Sequence, residues 1–311
     1  MKGIVTKSTG SWYMVECDDG RTLQCKIKGK FRIKGIRTTN PVSVGDEVEV
    51  AMNVDGTAFI HSILPRRNYI IRRSTNLSKE SHILASNIDQ AMLVVSLANP
   101  VTNTTFIDRF LATAEAYSVP AVMVINKCDL LTEGDDAEYL KAFTTLYESI
   151  GYKVIAVSAL KGEGIEGLKE TLAGKTTLLS GNSGVGKSSL INALVPGAGL
   201  KTGDVSASHH TGMHTTTFSE MFKLPFGGCI IDTPGVKGFG TIDFNKAEVA
   251  HYFPEIFKIS ADCRYNNCTH THEPGCAVLQ AVEEHFVSES RYASYLSIIS
   301  DDPNDRYREA F

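Results

Sequence analysis

The rhythm of apolar and polar positions changes along this chain and divides it. Over residues 1–65, the runs GIVTKSTGSWYMVEC, RTLQCKIKGKFRI and DEVEVAM alternate or cluster β-forming residues, with Gly-Asp pairs and a DDG between them. About five short strands in that length fit a small barrel, an OB-fold first and an SH3-like barrel second. Pro65 breaks the pattern, and PRRNYIIRRS reads as a basic linker. From about residue 80, AMLVVSL and AVMVINK are continuous apolar runs ending in polar residues, as in parallel strands buried on both faces. Between them TTFIDRFLATAEAY has helical spacing, with Phe106, Phe110, Leu111 and Ala114 on one face. The alternation continues through helix YLKAFTTLYESIG, strand KVIAVSA, helix GIEGLKETLAG, strand TTLLSG and helix KSSLINAL. Such a βαβ series predicts a doubly wound parallel sheet. After about residue 240 the pattern is helical, interrupted by one Cys/His-rich loop. The predicted architecture is an all-β OB-fold barrel at 1–68, an α/β domain at 69–240 and a mostly α domain at 241–311.

Composition adds an asymmetry. The chain has 311 residues, 42% hydrophobic and 21% charged, an ordinary globular make-up with room for two domains and a small third. No apolar run approaches the ~18 residues of a membrane helix, and the start lacks the apolar core of a secretion signal. The net charge of −4 conceals 13 Lys and Arg against 7 Asp and Glu in residues 1–73. A basic amino-terminal module on an acidic body suggests that one end meets a polyanion. In that module Lys26, Lys28, Lys30, Arg32 and Lys34 alternate with apolar Ile27, Phe31 and Ile33. On a strand this puts five cations on one face, where OB barrels bind oligonucleotides; a merely solvated face is the plainer alternative. Trp12 or Tyr13 can stack on a base if exposed, although core aromatics are commoner.

The sharpest chemical signal is Gly181-Asn182-Ser183-Gly184-Val185-Gly186-Lys187-Ser188, followed by Ser189. It matches GxxxxGK[ST] between a predicted strand and a predicted helix, the context of a phosphate-binding P-loop. Glycines let backbone N–H groups turn in around phosphates, and the helix N-terminus adds positive potential. Lys187 is placed to reach the β/γ-phosphates, and the Ser188 hydroxyl to ligate Mg²⁺. The base is chosen elsewhere. Asn126-Lys127-Cys128-Asp129 ends the strand AVMVIN and matches the NKxD guanine motif. A carboxylate at Asp129 accepts from guanine N1–H and the 2-amino group together, and adenine leaves it unpaired. Asn126 holds the loops and the Lys127 stem packs on the base. Ser158-Ala159-Leu160 ends the next strand and matches SA[KL], where a backbone N–H faces guanine O6. Asp232-Thr-Pro-Gly235 follows the strand CIIDT and matches DxxG, with Asp232 near Mg²⁺ through water and the Gly235 N–H near the γ-phosphate. In the polar stretch SASHHTGMHTTTF before it, Thr215, Thr216 or Thr217 can complete the Mg²⁺ shell as a mobile first switch. Thr216 is the first choice, and a plain surface loop is the alternative. Most GTPases run P-loop, switches, NKxD, SA. Here NKxD and SA come first, a circular permutation that leaves every motif at the same sheet edge.

Cysteine placement points to a second chemistry. The odd count of seven argues against a disulfide framework, and three cysteines fall within fourteen residues. Cys263, Cys268, His270 and Cys276 supply three thiolates and an imidazole, suited to a closed tetrahedral structural Zn²⁺ site. His272 rivals His270, and a disulfide among the three cysteines is the competing reading. Because no open metal position or nearby base is evident, a zinc enzyme is disfavoured.

Together, NKCD, SAL, GNSGVGKSS, HTTT, DTPG and CxxxxCxHxxEPGCAV, in this order and over essentially the whole chain, resemble the ribosome small-subunit-dependent GTPase A family of bacteria. The resemblance implies a cytoplasmic GTPase stimulated by the small (30S) ribosomal subunit during late maturation. It further implies contact of the barrel and zinc modules with 16S rRNA near the decoding region, sensitivity to (p)ppGpp, and encounters with other assembly factors. A monomer when free and no membrane partner are expected. The competing class is a GTP-gated nucleic-acid adaptor acting away from the ribosome. Val236 stands where Ras-like proteins carry a water-orienting glutamine, and His214 matches a family histidine proposed to position that water. A switch-loop histidine without a catalytic role is the alternative. Residues 241–311 carry 6 Lys and Arg against 12 Asp and Glu, which argues against broad electrostatic RNA affinity there.

Overall fold

The computed structural model describes residues 1–27, 41–73, 81–201, 219–232 and 244–300. Its first five strands are β1 (Lys2–Ser8), β2 (Tyr13–Cys17), β3 (Thr22–Ile27), β4 (Glu47–Met52) and β5 (Ala58–Ile63). They run in the order β1-β2-β3-β5-β4, and β4 returns to β1 through Lys2↔Glu49 and Ile4↔Glu47. The β3–β5 pair is parallel and the others antiparallel, the arrangement of a five-stranded OB-like barrel. Alternation fills it: Tyr13, Val15 and Cys17 of β2 point inward with Val5, Cys25, Val48, Val50 and Ile60.

The segment read as a linker is instead strand β6 (Tyr69–Arg73), paired antiparallel with β7 (Ser81–Ser86). Its arginines suggest solvent, but Ile70 is fully buried with Ala85 in the neighbouring core, and that burial decides the conformation. Barrel and ladder are bolted together by buried polar groups. The Arg66 guanidinium meets the Asp46 carboxylate at 2.6 Å through both Nε and Nη2, and Ser86 Oγ donates to it at 2.6 Å. Gly45 has φ +91°, and a Cβ there would lie 2.2 Å from the Ser86 carbonyl oxygen.

The central sheet uses β8 (Gln90–Val95), β9 (Ala121–Ile125), β10 (Lys153–Ala156), β11 (Thr176–Ser180), β12 (Ser219–Lys223) and β13 (Cys229–Asp232). The order β10-β9-β8-β11-β13 is parallel, and β12 adds antiparallel to β13. Helices α1 (Thr104–Ala116) and α2 (Gly134–Ile150) cover one face, over Ala91, Leu93, Val95, Met123 and Ile125. Helices α3 (Ile165–Leu172) and α4 (Lys187–Leu194) cover the other, over Met92, Val94, Val122 and Val124. Burial on both sides is why these strands read as unbroken apolar runs. Strand β12 was hidden in the sequence behind a polar run; it also pairs with β1 (Lys7↔Glu220), joining the sheet to the barrel.

The carboxy-terminal module has α5 (Pro254–Ser260), α6 (Ala277–Glu283) and α7 (Glu289–Ser300), packed through Phe253, Ile256, Val278, Tyr295 and Ile298. It covers the side of α1 opposite the sheet. Phe110, Leu111 and Ala114 are buried as expected and Phe106 only partly, while Ala112 joins the carboxy-terminal core and Asp108 is fully buried. Arg291 donates from Nη1 to Asp108 at 2.8 Å and from Nε to Glu255 at 2.7 Å, and the Tyr147 hydroxyl donates to Asp108 at 2.8 Å.

Candidate nucleotide site and metal centre

After β11 the chain turns through Gly181 (φ +145°), Gly184 (+83°) and Gly186 (+94°) into α4. Close approach demands the first and last of these: a Cβ would lie 2.3 Å from the Val94 carbonyl oxygen at Gly181 and 2.3 Å from Asn126 Nδ2 at Gly186. Val185 anchors the loop by burying its side chain in the core beneath α4. Asn182, Ser183, Ser188 and Ser189 are half-buried around it. The first-turn N–H groups of α4 lack intrahelical acceptors, so this turn is an anion site by construction. Lys187 Nζ donates to the carbonyls of Gly181 at 2.7 Å and Asn182 at 2.8 Å. Burial pushes its pKa down, with the Asp232 charge acting the other way. Asp232 ends β13 beside β11, in register with Leu179, and is buried.

Asn126 follows β9 and is buried between two other loops. Its Nδ2 donates to the Val185 carbonyl at 2.9 Å, and its Oδ1 accepts from the Ala159 N–H at 3.0 Å. Lys127 has φ +66°, and its ammonium donates to the Asn99 carbonyl. Burial also pushes the Lys127 pKa down, opposed by Asp129. Asp129 Oδ1 accepts from Ser158 Oγ at 2.6 Å, and that oxygen accepts from the Lys161 N–H at 3.0 Å. Leu160 between them is 84% exposed. The NKCD, SAL and P-loop residues therefore meet at one edge of the sheet, with Asp232 at the end of the strand next to the P-loop strand. Gly235, Thr216 with Thr215 and Thr217, His214 and Val236 lie outside the described residues. The Asn99 carbonyl had no sequence signal, since any residue supplies one.

On the barrel, Trp12 is 37% exposed and Tyr13 is 1% exposed, so Tyr13 belongs to the core and is no stacking residue. Of the alternating cations only Lys26 is described; Lys28, Lys30, Arg32 and Lys34 lie outside the described residues.

The ligand atoms of Cys263, Cys268, His270 and Cys276 all lie within 4.8 Å of one another. Cys263 Sγ is 3.9 Å from Cys276 Sγ, and His270 Nδ1 is 3.6 Å and 3.5 Å from those two sulfurs. Tetrahedral bonds of about 2.3 Å to sulfur put ligand atoms about 3.7 Å apart, so this spacing fits Zn²⁺. It is far too long for a disulfide, and all seven cysteines are free. His272 Nδ1 instead pairs with Thr271 Oγ1 at 2.7 Å. The loop is held from outside by groups that spacing could not reveal. Tyr292 and Tyr295 hydroxyls donate to the carbonyls of His270 (2.7 Å) and Thr269 (2.9 Å), and Glu273 accepts from the N–H groups of Thr269 and Thr271.

Comparison with known proteins agrees with this geometry. Residues 63–242 match the RsgA GTPase family and residues 2–60 the RsgA N-terminal domain. Two relatives named small ribosomal subunit biogenesis GTPase RsgA are 62% identical (Bacteroides fragilis) and 58% identical (Porphyromonas gingivalis). Each comparison covers 100% of both chains. The crystal structure of YjeQ from Thermotoga maritima superposes with a TM-score of 0.75 at 35% identity, covering 96% of each chain. That of YloQ, described as a circularly permuted GTPase, gives 0.71 at 30%, covering 98% of this chain and 95% of that one.

Proposed function

This chain belongs to the RsgA GTPase family, and from that premise we propose that it hydrolyses GTP as a late assembly factor of the small (30S) ribosomal subunit. In this reading the subunit stimulates turnover, and the barrel binds its 16S rRNA. The observation that carries the nucleotide assignment is Asn126 joined to both Val185 and Ala159, which brings a phosphate loop and a guanine loop together from distant parts of the chain.

Each residue then has a task. Asp129, oriented by Ser158, accepts from guanine N1–H and the 2-amino group. A backbone N–H of Ser158-Ala159-Leu160 faces guanine O6, in a loop held by the Ala159 N–H to Asn126 and the Lys161 N–H to Ser158. Lys127 packs its stem on the base. Residues 181–189 wrap the phosphates, and Lys187 exchanges carbonyl partners for the β/γ-phosphate oxygens. A preorganised cation in a half-buried pocket stabilises charge developing during phosphoryl transfer. Ser188 and Asp232, with Thr216, would hold Mg²⁺, which neutralises phosphate charge when bound. His214 positions water, because Val236 cannot. Gly235 senses the γ-phosphate. Cys263, Cys268, His270 and Cys276 hold one Zn²⁺ in a closed structural site. The same reading places the chain in the cytoplasm as a monomer, divides it at 1–68, 69–240 and 241–311, and admits (p)ppGpp in the guanine site.

GTP turnover measured with and without purified small subunits tests the proposal. A large rise with small subunits and none with large subunits is expected. Equal rates in all three conditions, with no nucleotide-dependent co-sedimentation, would leave the nucleic-acid adaptor as the better reading.

A further inference from the structure

We propose that the loop between β8 and α1 anchors the guanine-site lysine: a Ser96–Thr102 staple fixes the Asn99 carbonyl, which holds the Lys127 ammonium and so lays the lysine stem along the base. Thr102 and Asn99 are then positioning residues that act through Lys127. This deepens, and rests on, the reading of NKCD as the guanine motif. Strand β8 is the middle of three parallel neighbours, with β9 on one side and β11 on the other. Those neighbours end in the guanine loop and the phosphate loop. The loop after β8 therefore opens between them at the same sheet edge, although residues 96–103 carry no nucleotide motif. The phosphate loop comes close to it: a Cβ on Gly181 would lie 2.3 Å from the Val94 carbonyl oxygen.

The loop is closed by its own polar groups. The Ser96 N–H donates to Thr102 Oγ1 at 3.1 Å, and the Thr102 N–H donates back to the Ser96 carbonyl at 2.8 Å. Both residues are buried, so water does not readily replace either bond. Ser96 Oγ also donates to the Ala98 carbonyl and accepts from the Ala98 N–H. At the far end Asn103 caps α1, its Oδ1 accepting from the Thr105 N–H at 2.7 Å. Between these fixed ends Asn99 is exposed and turns left-handed at φ +37°, a region that asparagine enters more readily than most residues. Its carbonyl accepts from the Lys127 ammonium. Lys127 is itself left-handed at φ +66°, and burial pushes its pKa down. A partly desolvated ammonium needs an acceptor, and a fixed carbonyl also fixes the direction of the flexible stem. A lysine held in this way gives up little freedom when the base arrives, and affinity gains by that amount.

A double-mutant cycle in the full-length chain tests the anchor. Affinities for GTP and GDP are measured by titration calorimetry, with ATP as the control for base choice. Thr102→Val removes the acceptor of the Ser96 N–H and keeps the shape; Lys127→Met keeps an apolar stem and removes the ammonium. Each should weaken GTP binding about 3- to 10-fold, the worth of one such hydrogen bond, and the double variant should bind no worse than Lys127→Met alone. Thr102→Ser, which keeps the acceptor, should bind like wild type. In steady-state turnover Thr102→Val should raise KM for GTP by the same factor and leave kcat unchanged, because a grip on the base is equal in the ground and transition states. Additive losses overturn the anchor, as does wild-type affinity in Thr102→Val or a fall in kcat at unchanged KM. A wild-type chain that binds ATP as tightly as GTP takes the guanine reading down as well; a kept preference for GTP with additive losses removes the anchor alone. Thermal melts establish the fold of Thr102→Val. If it melts early, Asn99→Val decides: the position is exposed, so the core is untouched, and a β-branched residue resists the left-handed turn. The same loss, and the same failure to add to Lys127→Met, are expected there.

Discussion

Asn126 Nδ2 donates to the carbonyl oxygen of Val185 at 2.9 Å, across 59 residues of sequence. This bond makes the shuffled motif order harmless. Because β8, β9 and β11 are parallel neighbours in the sheet, the loops at their carboxyl ends share one edge wherever the chain is cut. A ligand crevice needs that convergence, not a particular order of connection.

Asn126→Ala should therefore damage phosphate and base recognition together. It leaves a buried carbonyl at Val185 and an N–H at Ala159 without their partner, each worth about 1–3 kcal/mol. We expect GTP and GDP affinity, measured by titration calorimetry, to fall about tenfold or more. Gly186→Ala should be at least as severe, since its Cβ would meet Asn126 Nδ2 at 2.3 Å and φ is +94°. The double variant should be little worse than Gly186→Ala alone, because removing Asn126 relieves the clash. Simple additivity would show that the two residues do not share a contact.

Asp129→Asn should change the base rather than abolish binding. Guanine presents two donors to the carboxylate, and an amide meets one of them with its own donor. Loss of GTP affinity of about two orders of magnitude or more is expected from that mismatch. Xanthine carries an oxygen where guanine has its 2-amino group, so XTP should bind the variant better than GTP does. Competition of XTP and GTP against a fluorescent guanine nucleotide measures this, and an unchanged preference for GTP would remove Asp129 from the base.

What was legible in the sequence was local. The P-loop, NKCD and SAL motifs could be placed because each is a short string at the end of an apolar run, and a parallel sheet puts such ends on one side. The strand β6 reads as a linker because its arginines outweigh Ile70, whose burial depends on a core made elsewhere. Strand β12 was missed because its partners β1 and β13 flank it in space, not in sequence. The spacing favoured His270 with His272 as its rival, and the backbone separates them: His270 reaches the thiols from a left-handed conformation at φ +57°, while His272 pairs with Thr271. Asp108 and Arg291 lie 183 residues apart, and each alone looks like a solvated helix charge.

That pair predicts how the carboxy-terminal module is attached. Arg291 and Asp108 are both essentially fully buried, and Glu255 shares the guanidinium. Arg291→Ala would strand two carboxylates in a low-dielectric interior, a loss of about 3–5 kcal/mol. Arg291→Met with Asp108→Leu should recover part of that stability, because no charge of the α1–α7 pair is then left alone. Chemical denaturation with far-ultraviolet dichroism checks both. A single variant as stable as wild type would mean that the module does not depend on this contact.

The metal centre should respond to pH with a definite sign. Burial pushes the thiols of Cys268 (to about 12) and Cys276 up, so both are protonated at neutral pH without metal. Burial pushes the His270 pKa down despite Glu273, which favours the neutral imidazole that a metal needs. Zinc capture must therefore expel at least the protons of Cys268 and Cys276, and apparent affinity must fall as pH falls. A slope of at least about two decades per pH unit between pH 6 and 8 follows from that proton count. Competition against a chromophoric chelator measures it. Cys276→Ser should lower zinc content and loosen the turn that Tyr292 and Tyr295 hold through the carbonyls of His270 and Thr269. Stoichiometric zinc in that variant, or an affinity flat with pH, would exclude a thiolate centre at these residues.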